Sequence, residues 1–284
     1  MLNYAVLLGG VIACALSAIF IRESAEDPVL LSAWRTLIAA AVLAPLWWRE
    51  QRRHRQYSLA ETLGHAWLPG IVLGLHFIAW NLGARMTPAA NATLLVSLVP
   101  LVMPLLLLAM FGERLRRAEW LATALAVVGM LLLTASDFDI DPGYLWGDLI
   151  CLLSMLLFAV YLVLARKHRH FASLWLYLLP VYLLAGLFAL VVGLALGEPL
   201  PEYSLYELAM IAGLALVSTV IGHSALNFAM RRLRGQLVSI VNTGQFIWAG
   251  FAAALLYAEL PQPAFYLAAA LLLTAMWLVI RRAA

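Results

Sequence analysis

The chain has 284 residues, of which 65% are hydrophobic and only 12% charged, with a formal net charge of +3. A water-soluble domain carries about 25% charged residues, and a globule of this size cannot hide so much apolar surface from water. The composition therefore excludes a soluble enzyme, a disulfide scaffold and a disordered tail, and leaves a polytopic membrane protein.

Apolar runs long enough to cross a bilayer, about 20 residues each, predict ten membrane helices. In chain order they fall roughly at 4–21, 29–48, 67–86, 89–111, 118–136, 144–165, 172–196, 206–230, 235–257 and 263–281. The connections between them are too short for a soluble domain of ~50 residues. Any function then resides in the helices and their loops. Met1 to Tyr4 carry no basic side chain and no small-residue cleavage site precedes Arg22, so the first helix is expected to stay in place. Cys14 and Cys151 fall inside spans 1 and 6, where thiols behave as small hydrophobes. They suggest neither a disulfide nor a metal site.

Basic residues alternate from loop to loop. Arg49, Arg52, Arg53 and Arg55 follow span 2; Arg114, Arg116 and Arg117 follow span 4; Arg166, Lys167 and Arg169 follow span 6. Arg231, Arg232 and Arg234 follow span 8, and Arg281 and Arg282 follow span 10. Fifteen of the 18 Lys and Arg thus share one face. Acids gather on the other: Glu23, Glu26, Asp27, Asp137, Asp139, Asp141, Glu198, Glu202 and Glu207. The positive-inside rule then puts both termini in the cytoplasm of an inner-membrane protein. The basic clusters are separate flanks rather than one stripe, which argues against a nucleic-acid partner.

The halves resemble one another. At an offset of 137, Gly10, Cys14, Leu16 and Ser17 match Gly147, Cys151, Leu153 and Ser154. At an offset of 146, Asn81, Arg85, Glu113 and Ala118 match Asn227, Arg231, Glu259 and Ala264. Thr93 aligns with Ser239, Ser97 with Thr243, and Trp120 with Tyr266. Five spans per half is an odd number, so the second copy enters the membrane inverted. The expected class is an all-α membrane protein of two inverted five-helix repeats, residues 1–140 and 141–284. Inverted repeats are typical of transporters, with the substrate near the midplane between them. A pseudo-symmetric chain of this kind can form both sides of a pathway alone, as a monomer.

Polar groups at membrane depth should face a cavity or a partner. Span 3 carries His76, Trp80 and Asn81; span 8 carries His223 and Asn227; span 9 carries Asn242, Gln245 and Trp248. Span 4 carries Ser97 with Pro100 and Pro104, and the prolines remove backbone donors and should kink it. These residues are the candidate substrate-binding set, with Pro100 and Pro104 as hinges. The alternative reading is interhelical glue. No Asp or Glu sits at the midplane, which suggests an uncharged crevice and a neutral or zwitterionic substrate. Glu113 and Glu259 lie at helix ends, where capping or pairing is expected. His76 and His223 could titrate and couple transport to protons. Arg35 lies about 9 Å in from the end of span 2 at 1.5 Å per residue. It reads as snorkelling or bonded to helix-end carbonyls, with a substrate carboxylate as the alternative. Asn91-Ala92-Thr93 fits a glycosylation pattern but sits too close to the membrane. No phosphate-binding loop, zinc spacing or Ser-His-Asp set is present, so no cofactor, metal or enzyme activity is expected. An intramembrane enzyme and a passive pore are the rival classes.

Several segments carry a family resemblance. Pro28 to Pro45 with Arg35 inside it, Ala84 to Pro100 ending Leu98-Val99-Pro100, and Gly112-Glu113-Arg114-Leu115 followed by Gly129 resemble the drug/metabolite transporter superfamily in its EamA-type branch. Ala258-Glu259-Leu260 echoes the third of these in the second half. The resemblance implies alternating access and export of small metabolites, often amino acids. Within the branch the chain looks most like the YddG-type exporters of aromatic amino acids, with Phe77, Trp80, Phe158, Tyr161, Phe246 and Trp248 available to line a chamber. Other neutral or cationic molecules, of drug or nucleotide-sugar type, are the alternative cargo. Phe246 stands where the family commonly has a second proline, so the two halves are expected to kink unequally.

Overall fold

The computed structural model describes residues 1–87, 89–135, 142–197, 202–257, 261 and 263–283, and it is helical throughout its regular structure. Asp137, Asp139, Asp141, Glu198 and Glu259, singled out above, lie outside these residues, as do the side chains of Asn91 and Thr93. Nine segments among the described residues are long and apolar enough to cross a membrane. The helix Arg117–Ala135 supplies the fifth of the ten predicted spans. Several spans start at a polar cap. Asp27 accepts from the Val29 and Leu30 amides at 2.7 and 3.0 Å ahead of Pro28–Arg53, and Ser58 caps Leu59–Met86. Ser173 caps Leu174–Ala195, and Ser204 caps Leu205–Gly213. Each cap satisfies first-turn donors where the chain re-enters the membrane. Spans 2 and 3 run past the apolar windows, to Arg53 and back to Leu59, because capped polar turns continue both helices into the interface.

Close approaches between helices fix the architecture. On span 1, Leu2–Ala15, a Cβ placed at Gly10 would meet Ala225, and one at Gly222 would lie 2.5 Å from Cys14 Sγ. On span 3 a Cβ at Gly83 would meet Cys151 of the helix Leu145–Lys167 at 2.7 Å. Thus Cys14 packs on span 8 and Cys151 packs on span 3, as two repeats exchanging partners require. Residue order rises on one helix as it falls on the other in both pairs, so span 1 runs antiparallel to span 8 and span 3 to span 6. Spans 2 and 7 also pair antiparallel, Thr36 and Leu37 beside Gly186 and Leu30 beside Gly193. With passes alternating through the membrane, the second five-helix set is upside down relative to the first.

Four spans depart from regular α-helix. Span 1 breaks at Leu16, between Leu2–Ala15 and Ser17–Glu23. Span 4 breaks at Ser97-Leu98, between Ala89–Val96 and Val99–Phe111. Span 9 breaks at Thr243-Gly244, between Gly235–Asn242 and Gln245–Tyr257. Span 8 widens into a π-helix over Leu214–His223. The breaks in spans 4 and 9 occupy equivalent positions, although Phe246 stands in the second half where Pro100 stands in the first. In span 4, Pro100 has no N–H to donate to Val96, and Ser97 and Leu101 take three-residue turns instead. In span 9 no proline is needed. The Thr243 hydroxyl donates to the Ile240 carbonyl at 2.6 Å, and Gly244 and Ile247 close three-residue turns. Pro104 stays inside its helix. It deprives the Pro100 carbonyl of a donor, and Gln236 of span 9 donates to that carbonyl at 3.0 Å.

The two membrane faces are laced between the repeats. On the basic face Gly112, at φ +64, ends span 4 with a left-handed turn in which the Glu113 amide donates to Leu107. Glu113 is thereby set to pair with Arg166 at 2.7 Å and Arg234 at 3.4 Å, and Arg234 also pairs with Glu119. The predicted pairing role of Glu113 is thus what the geometry shows. On the acidic face Glu23 accepts from Tyr206 and Tyr257, each at 2.6 Å, and Glu207 accepts from Ser24 and the Ala25 amide. Three histidine rings, those of His65, His168 and His170, cluster on the basic face with centroids 5.5 to 5.8 Å apart.

Two predictions follow from this packing. Gly222→Ala would push its new methyl into Cys14, whose backbone N lies 3.0 Å away; overpacking of this kind costs about 1–3 kcal/mol. A lowered unfolding temperature in detergent, partly restored by adding Cys14→Ala, is the expected reading. Burial first, then the neighbouring His65 and His170, lower the His168 pKa from 6.5 to about 4. The unfolded chain therefore binds the extra proton between those values, and stability falls as pH drops from about 6.5 to about 4. Thermal melts across that range should show a shallower pH slope for His168→Phe, which keeps the stack on Tyr177.

Candidate functional site

One cavity gathers the irregular segments. It holds about 690 Å³ of empty space including its open mouth. Cys14, Ala15, Ser17 and Ala18 border it around the break in span 1. Val96 and Ser97 border it at the break in span 4, Asn242, Gln245, Phe246 and Ala249 at the break in span 9, and His223 at the end of the π-helix. Span 2 adds Arg35, span 3 adds His76, Phe77 and Trp80, and span 6 adds Phe158. Backbone that leaves the α-helical pattern at membrane depth is tolerated only against protein or water, and here it meets at a shared hollow. The site lies between the laced faces and takes residues from both repeats.

Of the nine candidate binding residues, His76, Trp80, Ser97, His223, Asn242 and Gln245 line the cavity. Three do not. Asn81 is fully buried and donates to Ser32 Oγ at 2.9 Å and the Pro28 carbonyl at 3.2 Å, tying span 3 to span 2. Asn227 is fully buried and donates to Tyr161 Oη at 2.6 Å, tying span 8 to span 6. These two amides, equivalent in the repeats, are interhelical ties. Trp248 is 43% exposed on the outer surface of span 9, where the aromatic ring faces lipid. Of the two hinge prolines, Pro100 sits just past the cavity-side break and Pro104 within the following helix.

The lining has two characters. One wall is aromatic. Phe158 stacks on His76 with centroids 4.8 Å apart, and Phe77 meets His223 edge-on at 4.8 Å. Phe246, the residue in place of a proline, adds its ring to this space. The other wall is amide and hydroxyl: Gln245 donates to Asn242 Oδ1 at 2.7 Å, and Ser97 lies beside them in the lining. His76 Nδ1 lies 3.0 Å from the Ser154 carbonyl and 2.9 Å from the Ser154 hydroxyl, which ties span 3 to span 6. His223 Nδ1 has no hydrogen-bond partner.

Arg35 corrects two expectations. The crevice is not uncharged, because a guanidinium lines it. Nor does Arg35 snorkel or bond helix-end carbonyls. It is 1% exposed; its Nε donates to Thr219 Oγ1 at 3.1 Å, and the Phe77 ring lies 3.7 Å from its guanidinium carbon. Both terminal nitrogens, Nη1 and Nη2, lack a hydrogen-bond partner. The guanidinium is therefore held at depth by Thr219 and Phe77 rather than reaching the interface. The sequence shows the cation but not the π-helical turn that presents Thr219 to it. No group of three or more metal-ligating side chains occurs among the described residues.

Two inverted sets of membrane helices around a central hollow define a carrier-type integral membrane protein. The chain belongs to the EamA-like transporter family, whose profile matches residues 1–135 and again 145–281. A crystal structure titled only as that of a protein superposes on 99% of this chain and 98% of its own, with a TM-score of 0.82 at 20% identity. That likeness is one of fold. No curated protein matches the sequence significantly.

The placement of Asn81 carries a prediction. Asn81→Ala should lower thermal stability, by about 0.6–1.7 kcal/mol for an interhelical hydrogen bond, and leave ligand affinity unchanged. A thermal-shift assay with and without added amino acids reads both quantities.

Proposed function

We propose that the protein is an inner-membrane exporter of small metabolites, amino acids with aromatic or other apolar side chains, working by alternating access. Residues 1–140 and 141–284 are the two repeats that rock against each other, within one monomer whose termini lie in the cytoplasm. The observation that carries this reading is the central cavity itself: the rings of Phe77, Trp80, Phe158 and Phe246 and the polar groups of Ser97, Asn242 and Gln245 share its lining. Such a site holds a flat or apolar side chain on one wall and orients a polar head on the other. The helix breaks at Ser97-Leu98 and Thr243-Gly244 supply the flexure, since their three-residue turns are weaker than α-helix. The positive-inside rule assigns the basic face to the cytoplasm, and export is the direction that the resemblance to metabolite exporters implies. His76 and His223 are the groups through which protons could couple.

The test is saturable uptake of phenylalanine, tryptophan and leucine into proteoliposomes against protein-free vesicles. Gln245→Ala should reduce the flux about tenfold, the worth of one polar contact of about 1.4 kcal/mol, with expression and melting temperature retained. Wild-type flux in that variant removes Gln245 from the site. Absence of saturable uptake for all three solutes overturns the amino-acid reading.

A further inference from the structure

We infer that Arg35 is the anchor for a carboxylate on the transported molecule, and that the cavity selects monocarboxylate anions whether or not they carry an ammonium group. The inference rests on the carrier reading above and narrows its substrate class.

The argument is one of charge balance at membrane depth. An ionised side chain within a span is costly unless something compensates it. Arg35 is almost completely buried. Its compensation within the protein is partial: a hydroxyl acceptor on Nε from Thr219 and the face of Phe77. The paired nitrogens that would form a fork-to-fork contact with a carboxylate are the two left without partners. No described residue lining the cavity is an Asp or Glu. With neutral histidines the lining carries one positive charge and no negative one, so the missing charge is one that an occupant must bring.

Geometry adds specificity. Thr219 holds Nε and leaves Nη1 and Nη2 without partners. Phe77 fixes the plane of the group, and Phe77, Phe158 and Trp80 border the same cavity. A carboxylate on the Arg35 fork therefore places an attached apolar or aromatic group against these rings. An α-ammonium, if present, meets only neutral acceptors such as Gln245 and the histidine rings. It is accommodated but not paired. A cationic amine without a carboxylate would instead add a second positive charge beside Arg35.

The probes are phenylalanine, 3-phenylpropionate and phenylalaninamide, which share a ring and differ in charge. They compete against labelled phenylalanine uptake into proteoliposomes of the full chain, with protein-free vesicles correcting for permeation. The expected result is competition by 3-phenylpropionate at least equal to that of phenylalanine, and by phenylalaninamide at least tenfold weaker. Arg35→Gln should weaken binding roughly 10- to 100-fold, the worth of a hydrogen-bonded charged contact, while Arg35→Lys keeps the same order of preference. The wild-type comparison stands even if Arg35→Gln fails to fold, and a melting curve separates folding from binding. Equal competition by phenylalaninamide, or unchanged affinity in folded Arg35→Gln, overturns the anchor while leaving the carrier intact. No saturable wild-type uptake of phenylalanine or 3-phenylpropionate overturns the amino-acid reading, and the anchor with it.

Discussion

A lipid interior offers no hydrogen bonds, and that constraint organises the molecule. Every backbone group released from a helix, and every polar side chain between the faces, has to find protein or water. The structure answers in two ways. Isolated amides are spent as ties: Asn81 holds Ser32, and Asn227 holds Tyr161. The irregular segments, the breaks in spans 1, 4 and 9 and the π-helix of span 8, border one hollow instead. The Pro100 carbonyl, left without a donor by Pro104, shows the first solution acting across the repeats, because its replacement donor is Gln236 of the opposite copy.

The two copies are equivalent in packing but not in detail, and the differences point to the cavity. Cys14 on Gly222 mirrors Cys151 on Gly83. Yet span 1 breaks at Leu16 while its counterpart Leu145–Lys167 is continuous, and span 8 is π-helical where span 3 stays regular. Span 2 buries Arg35, whereas the counterpart helix Leu174–Ala195 contains no charged residue. Shared features set the scaffold. The hollow is bordered both by the shared breaks of spans 4 and 9 and by the unshared features of spans 1, 2 and 8.

How far these features can be read from the residues depends on their range. Apolar runs and arginine flanks are local, so the spans and the two faces are legible directly. The inverted repeat follows from matches such as Cys14 with Cys151, and the pairing of Glu113 from its place at a helix end. Spacing of four along span 3 correctly puts His76 and Trp80 on one face, but it cannot tell which neighbour fills that face. Asn81, one residue further round, turns to span 2 instead, and Trp248 turns to lipid. The break at Thr243-Gly244 escapes a search for proline because a threonine hydroxyl and a glycine produce it. The surroundings of Arg35 are the least legible, since Thr219 reaches it only through a π-helical turn 184 residues away in the chain.

That distant contact also bears on how occupancy of the hollow could reach the faces. Arg35 belongs to the first repeat and Thr219 to the second, so the guanidinium bridges the two copies. Thr219 is itself bonded to Leu214 within the π-helix, and the Thr219 carbonyl accepts from Tyr182 of span 7. Span 8 then continues to Arg231 and the basic face in one direction and to Tyr206 and Glu207 on the acidic face in the other. A ligand shifts a conformational equilibrium only by its difference in affinity for the two states. The Asn81–Ser32 tie lies within the first repeat, whereas the Arg35–Thr219 contact joins the two, so a change in what surrounds the guanidinium bears on both copies at once.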